Sequence, residues 1–338
     1  MLRFIARRVA QALGVVALAA TLAFALLHLA PGDPLTDSLE RAAMDEGAKA
    51  RWRATYGLDR PLPEQYARWL LSVARGDLGW SFSQQRPVAE VLRDALPNTL
   101  LLVGVALLVA IPAGVAIGAT QAAARTRGDA RGRAADRALG VATLVTHSVP
   151  EYWLALGALA LLAYRIPLFP AGGMLDPVSH DYLPLAGRIL DRLRHLVLPV
   201  GVLALALLTT VARHQRAALV EVLGEDHVRT ARAKGIGERA VLGRHALRNA
   251  LLPVITLLGL ALPALVGGAV FVERVFAWPG MGLVAVQGVE GRDYPLVTAT
   301  VVVGSACVAM GGLLADVLHA WADPRVREGL IETPVEPT

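Results

Sequence analysis

His147 and Glu151 lie four residues apart inside one of the apolar stretches of the chain. On a continuous helix that spacing sets both on one face, where they could act as metal ligands or as a proton relay. Titratable groups inside an apolar run are functional candidates because burying them in lipid is expensive. Pro150 falls between the two and interrupts such a helix, and two ligands do not complete a metal site. The simpler reading is a pair of polar groups beside a kink, facing protein or a wet cavity. Asp316 lies near the end of another apolar run, where side chains reach the membrane interface. A phosphate-binding loop needs Gly-Lys followed by Ser or Thr. Both lysines here, Lys49 and Lys234, follow alanine and precede Ala50 and Gly235. No His-Glu-x-x-His helix or Gly-x-Ser-x-Gly turn occurs either. The single cysteine, Cys307, sits in an apolar run, so neither a disulfide framework nor a cysteine metal site can be built. On these grounds no catalytic residue and no metal site is assigned.

The elements that must hold these residues are membrane helices. Of 338 residues, 55% are apolar even without counting 32 glycines, and only 18% are charged, against about 25% in soluble domains. Mean hydropathy is +0.50. Disorder and a soluble enzyme fold are both disfavoured, and the chain reads as an all-α polytopic membrane protein. A helix rising about 1.5 Å per residue needs about 20 apolar residues to cross the hydrocarbon layer. Six stretches meet or approach this: 9–30, 98–120, 139–163, 196–211, 250–272 and 295–314. The fourth is short, but an amphipathic helix over 212–223 continues it.

Charge orients them. Short cytoplasmic loops carry the excess of Lys and Arg. Arg3, Arg7 and Arg8 precede the first span, and Arg125, Arg127, Arg131, Arg133 and Arg137 fill the link between the second and third. The link after the fourth holds Arg213, Arg216, Arg229, Arg232, Lys234, Arg239, Arg244 and Arg248, and Arg325 and Arg327 follow the sixth. Six spans place all four regions inside, with both termini cytoplasmic; removing the fourth would put the most basic link outside. The net charge of +5 thus marks cytoplasmic loops and not a nucleic-acid surface. The first span is longer than a signal-peptide core and lacks a small residue at position 28 before a cleavage site, so it reads as a retained anchor. Segments 31–97 and 167–194 fall outside, with a helix expected over 63–75.

The most informative stretch is 229–253, RTARAKGIGERAVLGRHALRNALLP. Residues 226–234 suit a short helix with acids first and bases last, as the helix dipole favours. Gly235-Ile236-Gly237 stops it, and 238–247 forms a second helix leading into the fifth span. Periodicity alone leaves two readings open: a compact knob for another protein to grip, or a solvated basic loop.

The stretch resembles the EAA loop of ATP-binding-cassette importer permeases of the dipeptide/oligopeptide/nickel branch. Arg229-Thr230-Ala231 stands where that family has Glu-Ala-Ala, Gly235 at its glycine, and His245-Ala246-Leu247-Arg248 in place of Ile-x-Leu-Pro. The acidic first residue and the terminal proline are absent. Further stretches similar to this branch occur in order along the chain: Pro31-Gly32-Asp33-Pro34, Tyr56-Gly57-Leu58-Asp59-Arg60-Pro61, Gly76-Asp77-Leu78-Gly79 with Ser81, Leu96-Pro97-Asn98-Thr99, Phe276-Ala277-Trp278-Pro279-Gly280-Met281-Gly282, Arg292-Asp293-Tyr294-Pro295 and Asp323-Pro324-Arg325.

The resemblance implies a six-span type I ABC importer permease in the cell membrane. Residues 1–95 would be an N-terminal helix plus extracytoplasmic segment, 96–323 the permease core and 324–338 a cytoplasmic tail. It further implies a non-catalytic transport subunit that moves small peptides or a related solute and binds no cofactor itself. Its partners would be two ATP-binding subunits that use ATP and Mg, a second homologous permease, an extracytoplasmic solute-binding protein and membrane lipid, with no nucleic acid. The ATPase-coupling residues would be Arg229, Thr230, Ala231, Gly235, Gly237, His245 and Leu247. The alternative from the residues themselves is a proton-coupled secondary transporter using Glu151 and Asp316, with His147 as a further relay group.

Overall fold

Apolar runs with their backbone bonded internally become helices here. Among the described residues of the computed structural model, four helices are long and apolar enough to cross a membrane: Ile5–Leu26, Val88–Thr126, Leu185–Val222 and Tyr294–Val317. The structure describes residues 2–29, 47, 59–126, 129–251, 253–255, 257 and 269–322. The four helices coincide with the first, second, fourth and sixth expected spans. The short fourth stretch and its amphipathic continuation form one unbroken helix of 38 residues. The third expected span is not one helix: the backbone leaves helical geometry at Val149 (ψ 124°) and Pro150 (ψ 138°). Much of the fifth, residues 258–268, lies outside the described residues.

The chain divides into two compact units. One comprises Met1–Thr99 with Pro279–Ala309, the other Leu100–Trp278 with Met310–Thr338. In the first, α1 (Leu2–Leu29) and α2 (Leu62–Ala74) meet through an aromatic cluster. Phe24 lies 5.3 Å from the ring of Tyr66 and 5.4 Å from that of Trp69, and Thr21 Oγ1 and Tyr66 OH are 2.7 Å apart. The α2 helix begins one residue before the expected 63–75, with Pro63 in its first turn, where the missing N–H costs nothing.

A two-residue hairpin follows, β1 (Trp80–Ser81) antiparallel to β2 (Arg86–Pro87). Its turn is fastened to the chain more than 200 residues away, just before α11 (Tyr294–Ala322). Asp293, fully buried, accepts from Ser81 Oγ at 2.6 Å, Ser83 N at 2.9 Å and Ser83 Oγ at 2.8 Å, all on Oδ2. Its other oxygen takes the Leu296 N–H at 3.2 Å, a helix N-cap. Val88, Val91 and Leu92 at the start of α3 (Val88–Thr126) pack on Leu296 and Ala299 of α11. The α10 helix (Met281–Glu290) is anchored by the Met281 N–H donating to Thr99 Oγ1 at 2.8 Å, and Asn98 Nδ2 donates to the Pro279 carbonyl at 2.8 Å.

In the second unit, α4 (Ala130–Ser148), α5 (Glu151–Ala158) and α6 (Leu185–Val222) pack with the later turns of α3. The approach of α3 to α6 needs glycine: a Cβ on Gly114 would sit 2.7 Å from Val211 Cβ, and one on Gly118 2.5 Å from the Ala212 carbonyl. Leu102, Val103, Leu198, Val202, Leu203, Val272, Phe276 and Trp278 form the main buried cluster. Two polar bridges join α4 to α6. Arg216 forks onto Asp136, Nε to Oδ1 and Nη2 to Oδ2, both at 2.7 Å, and His147 Nδ1 lies 3.3 Å from Thr209 Oγ1. The Arg216 guanidinium holds the Asp136 carboxyl below the usual carboxylate range. A third polar centre, Asp191 on α6, has His180 Nδ1 at 2.6 Å and His195 Nδ1 at 3.2 Å and accepts the Asp176 N–H at 3.0 Å.

Replacing Asp293 with alanine leaves two hydroxyls and two backbone amides without their buried acceptor. The expected cost is about 2–4 kcal/mol. Limited chymotryptic digestion of the purified protein should show faster cutting after Phe82 in the hairpin turn, and an unchanged rate would contradict this role of the clasp.

Candidate functional site

The basic link after α6 folds into a compact knob. Its first helix, α7 (Asp226–Ala233), carries Asp226 in the first turn and Arg232 in the last, the arrangement the dipole favours. Val228 and Ala231, three apart, are buried. They pack with Val241, Ala246 and Ala250 onto Leu219, Val222 and Leu223 at the end of α6 and Ala122 of α3. This inward stripe leaves Asp226, Arg229, Thr230 and Ala233 exposed on the opposite side.

The turn is a Schellman stop. Gly235 has φ +75°, its N–H donates to the Arg232 carbonyl at 2.9 Å, and the Ile236 N–H reaches the Ala231 carbonyl at 3.3 Å. Ile236 adds the apolar contact that accompanies this motif. Gly237, extended at ψ 143°, precedes α8 (Glu238–Ala240). The coil then widens to a π-helical turn over Val241–Ala246 and tightens again in α9 (Leu247–Ala250). The expected second helix over 238–247 is thus present, with a wide turn in its middle.

Arg232 ties the pieces together. Its Nη2 and Nε donate to the two carboxylate oxygens of Glu238 at 2.7 and 3.1 Å, and Nη1 reaches the Leu223 carbonyl, at the end of α6, at 3.4 Å. The pairing lowers the Glu238 carboxyl and raises the Arg232 guanidinium from their ordinary values. Sequence reasoning counted Arg232 only as loop charge; its six-residue separation from an acid across two glycines was the available signal.

The coupling residues expected from the sequence therefore occupy different positions. Arg229 is exposed and held only loosely, 3.4 Å from Asp226, and the exposed Thr230 bonds back to the Asp226 carbonyl at 2.9 Å. Ala231 points into the knob. Gly235 and Gly237 shape the turn, while His245 and Leu247 are half-buried. Lys234, Arg244 and Arg248 are exposed, with no ion pair among the described residues. The outer face of the knob is therefore basic, with Arg229, Lys234, Arg244 and Arg248 exposed.

The structure does not bring His147 and Glu151 together as a ligand pair. They fall on α4 and α5 either side of the Pro150 break, His147 with Thr209 and Glu151 with one buried oxygen lacking a hydrogen-bond partner. Asp316 is half-buried on α11.

Comparison with known proteins accords with this architecture. The family described as binding-protein-dependent transport system inner membrane component matches residues 110–328, and its N-terminal region matches 1–103. The oligopeptide transport system permease protein AppB of Bacillus subtilis is 36% identical over 327 residues, covering 96% of this chain and 99% of the relative. The di/tripeptide transport system permease protein DppB of Pseudomonas aeruginosa is 35% identical over 340 residues, covering 97% and 99%.

Open space surrounds the Cβ position of Gly235, so substitution there acts through the backbone alone. Gly235→Ala should cost about 1–2 kcal/mol. Hydrogen exchange at Gly235 and Ile236 should accelerate about 5- to 30-fold while the amides of α6 keep their protection; unchanged exchange would contradict the assigned strain.

Proposed function

The chain belongs to the binding-protein-dependent transport system inner membrane component family, and from that premise we propose how this membrane permease subunit of an ABC importer is driven. It forms half of a translocation path for small peptides, the other half coming from a second, homologous permease. Two separate ATP-binding subunits bind and hydrolyse ATP with Mg, and an extracytoplasmic solute-binding protein delivers the solute. Six spans with both termini cytoplasmic put the knob on the side of the ATPases. Peptide is the proposed solute because the relatives that align along almost the whole chain carry oligopeptide and di/tripeptide transport in their names.

The observation that carries the coupling role is the knob itself: a stopped helix pair with a buried underside, locked by Arg232, and an exposed outer face. A partner can shift a conformational equilibrium only by its differential affinity for the two states. A yielding loop would absorb movement, whereas this one transmits it to α6. Closure of the nucleotide sites then draws the knob, and with it the permease pair, toward the outward-open state.

A second reading rests on Glu151, whose unpartnered oxygen would suit a proton-coupled transporter with Asp316. Purification of the tagged chain in mild detergent decides between them. Two ATPase chains and a second permease should come with it, and Gly235→Pro, which cannot adopt a positive φ, should insert normally but lose ATP-driven uptake. A chain that purifies alone, with uptake insensitive to ATP depletion and abolished by an uncoupler, would overturn the importer mechanism.

A further inference from the structure

The knob rests on the last turns of α6, where Leu219, Val222 and Leu223 form its seat. Arg216 lies three residues before Leu219, on the adjacent turn of the same helix. Its guanidinium makes two parallel bonds of 2.7 Å to Asp136, a residue 80 positions earlier on α4 and only 9% exposed. A bidentate fork fixes orientation as well as distance, so it resists both separation of the two helices and rotation of α6 about its axis. Farther along, His147 and Thr209 join the same two helices. The start of α4 is held as well: Asp129 caps it through Gly132 N at 2.7 Å, and a Cβ on Gly132 would run into the Ala124 carbonyl of α3. The α4 helix is therefore a rod held at its start, near Asp136 and at its far end. Immediately beyond that end comes the non-helical Val149-Pro150 step, with Glu151 opening α5.

We propose that the Asp136–Arg216 ion pair is a strap that makes α4 follow the knob's seat, so that movement at the coupling surface reaches the Pro150 break. This rests on the coupling role proposed above. Both are positioning residues. Apolar contact alone would let α6 slide or turn against α4 at little cost, since each dispersion contact is weak and non-directional. Breaking the fork strands the largely buried Asp136 carboxylate and removes the directional contact. The pair sits outside the knob's exposed face, so cutting it leaves the docking surface in place.

The test uses the complete complex purified with its ATPase chains. Cys307 is changed to Ser, and spin labels are placed at Ala217→Cys on α6 and Ser148→Cys at the end of α4, both exposed positions. With the strap intact, the distance distribution between the labels should be the same without nucleotide and with ATP plus vanadate. In Asp136→Asn or Arg216→Gln it should shift on adding nucleotide, because α6 moves while α4 stays behind. Transport per ATP hydrolysed should fall about tenfold, within the usual range of coupling energies. The exchange Asp136→Arg with Arg216→Asp should restore the nucleotide-independent distance. Arg216→Lys, which keeps charge but not the fork, should give an intermediate shift. If the single variants fail to assemble, the exchanged pair and Arg216→Lys carry the test. A nucleotide-independent distance in every assembled variant would overturn the strap. A native preparation without ATPase chains would instead overturn the coupling role on which it rests.

Discussion

Hydrocarbon offers no hydrogen bonds, and the rest of this structure follows from that constraint. Backbone polar groups are met by winding the apolar runs into helices of up to 39 residues. Carboxylates that leave water need donors supplied by the fold, and Asp293, Asp136 and Asp191 show how the chain provides them. Asp293 takes hydroxyl and amide donors from the hairpin turn, Asp136 takes a guanidinium, and Asp191 gathers two imidazoles and an amide. Each collects groups from separate stretches of sequence. Polar satisfaction therefore acts as a set of staples, fixing which segments lie beside which. The apolar contacts around them supply most of the attraction but little direction.

Much of this was legible in the sequence. Long apolar runs predict helices over 9–30, 98–120, 196–211 and 295–314, because nothing in those runs competes with the internal backbone ladder, and the structure has helices there over Ile5–Leu26, Val88–Thr126, Leu185–Val222 and Tyr294–Val317. Pro150 predicted a break, and the structure has one; Pro199 lies within α6 without ending it. A proline's effect depends on what its neighbours do with the freed carbonyls, which a hydropathy pattern does not encode. Glycine at 235 predicted a left-handed stop, and φ is +75° there. The staples were not legible. In the sequence Asp136 and Arg216 are charges of two different links, and a charge count carries no information about a partner 80 residues away. The same holds for Ser81 and Asp293, both present in the stretches that resemble the family. Only folding shows that these stretches hold one another.

The departures from the family pattern fall where the structure tolerates them. Arg229, where the resembled pattern has an acid, lies on the exposed side of α7; among the described residues its ion-pair contact is a 3.4 Å approach to an almost fully exposed Asp226. Arg248 replaces a proline at an exposed position of α9, where a helix can continue. Positions that do structural work keep small or turn-forming residues: Ala231 is buried in the knob and Gly235 sits in the left-handed region. These buried and turn-forming positions of the knob thus carry small residues, while its outer face carries bases.

Rigidity also has a thermodynamic role. Energy released at a partner is useful to a permease only if it appears as a difference in free energy between two arrangements of the path, and every compliant joint between the two reduces that difference. Compliance in a helix-and-turn element comes from frayed ends and unanchored turns. Here the end of α7 is stopped by two backbone bonds to Arg232 and Ala231, the turn is bridged by Arg232 to Glu238, and the underside is packed without exposed apolar area at Val228, Val241, Ala246 and Ala250. An exposed ion pair such as Arg232–Glu238 contributes little to global stability. Its effect is local, because Arg232 also reaches the last carbonyl of α6 and so closes a ring through helix, turn and seat. Deformation of the turn must then break directional bonds, whereas movement of the whole knob with α6 breaks none of them.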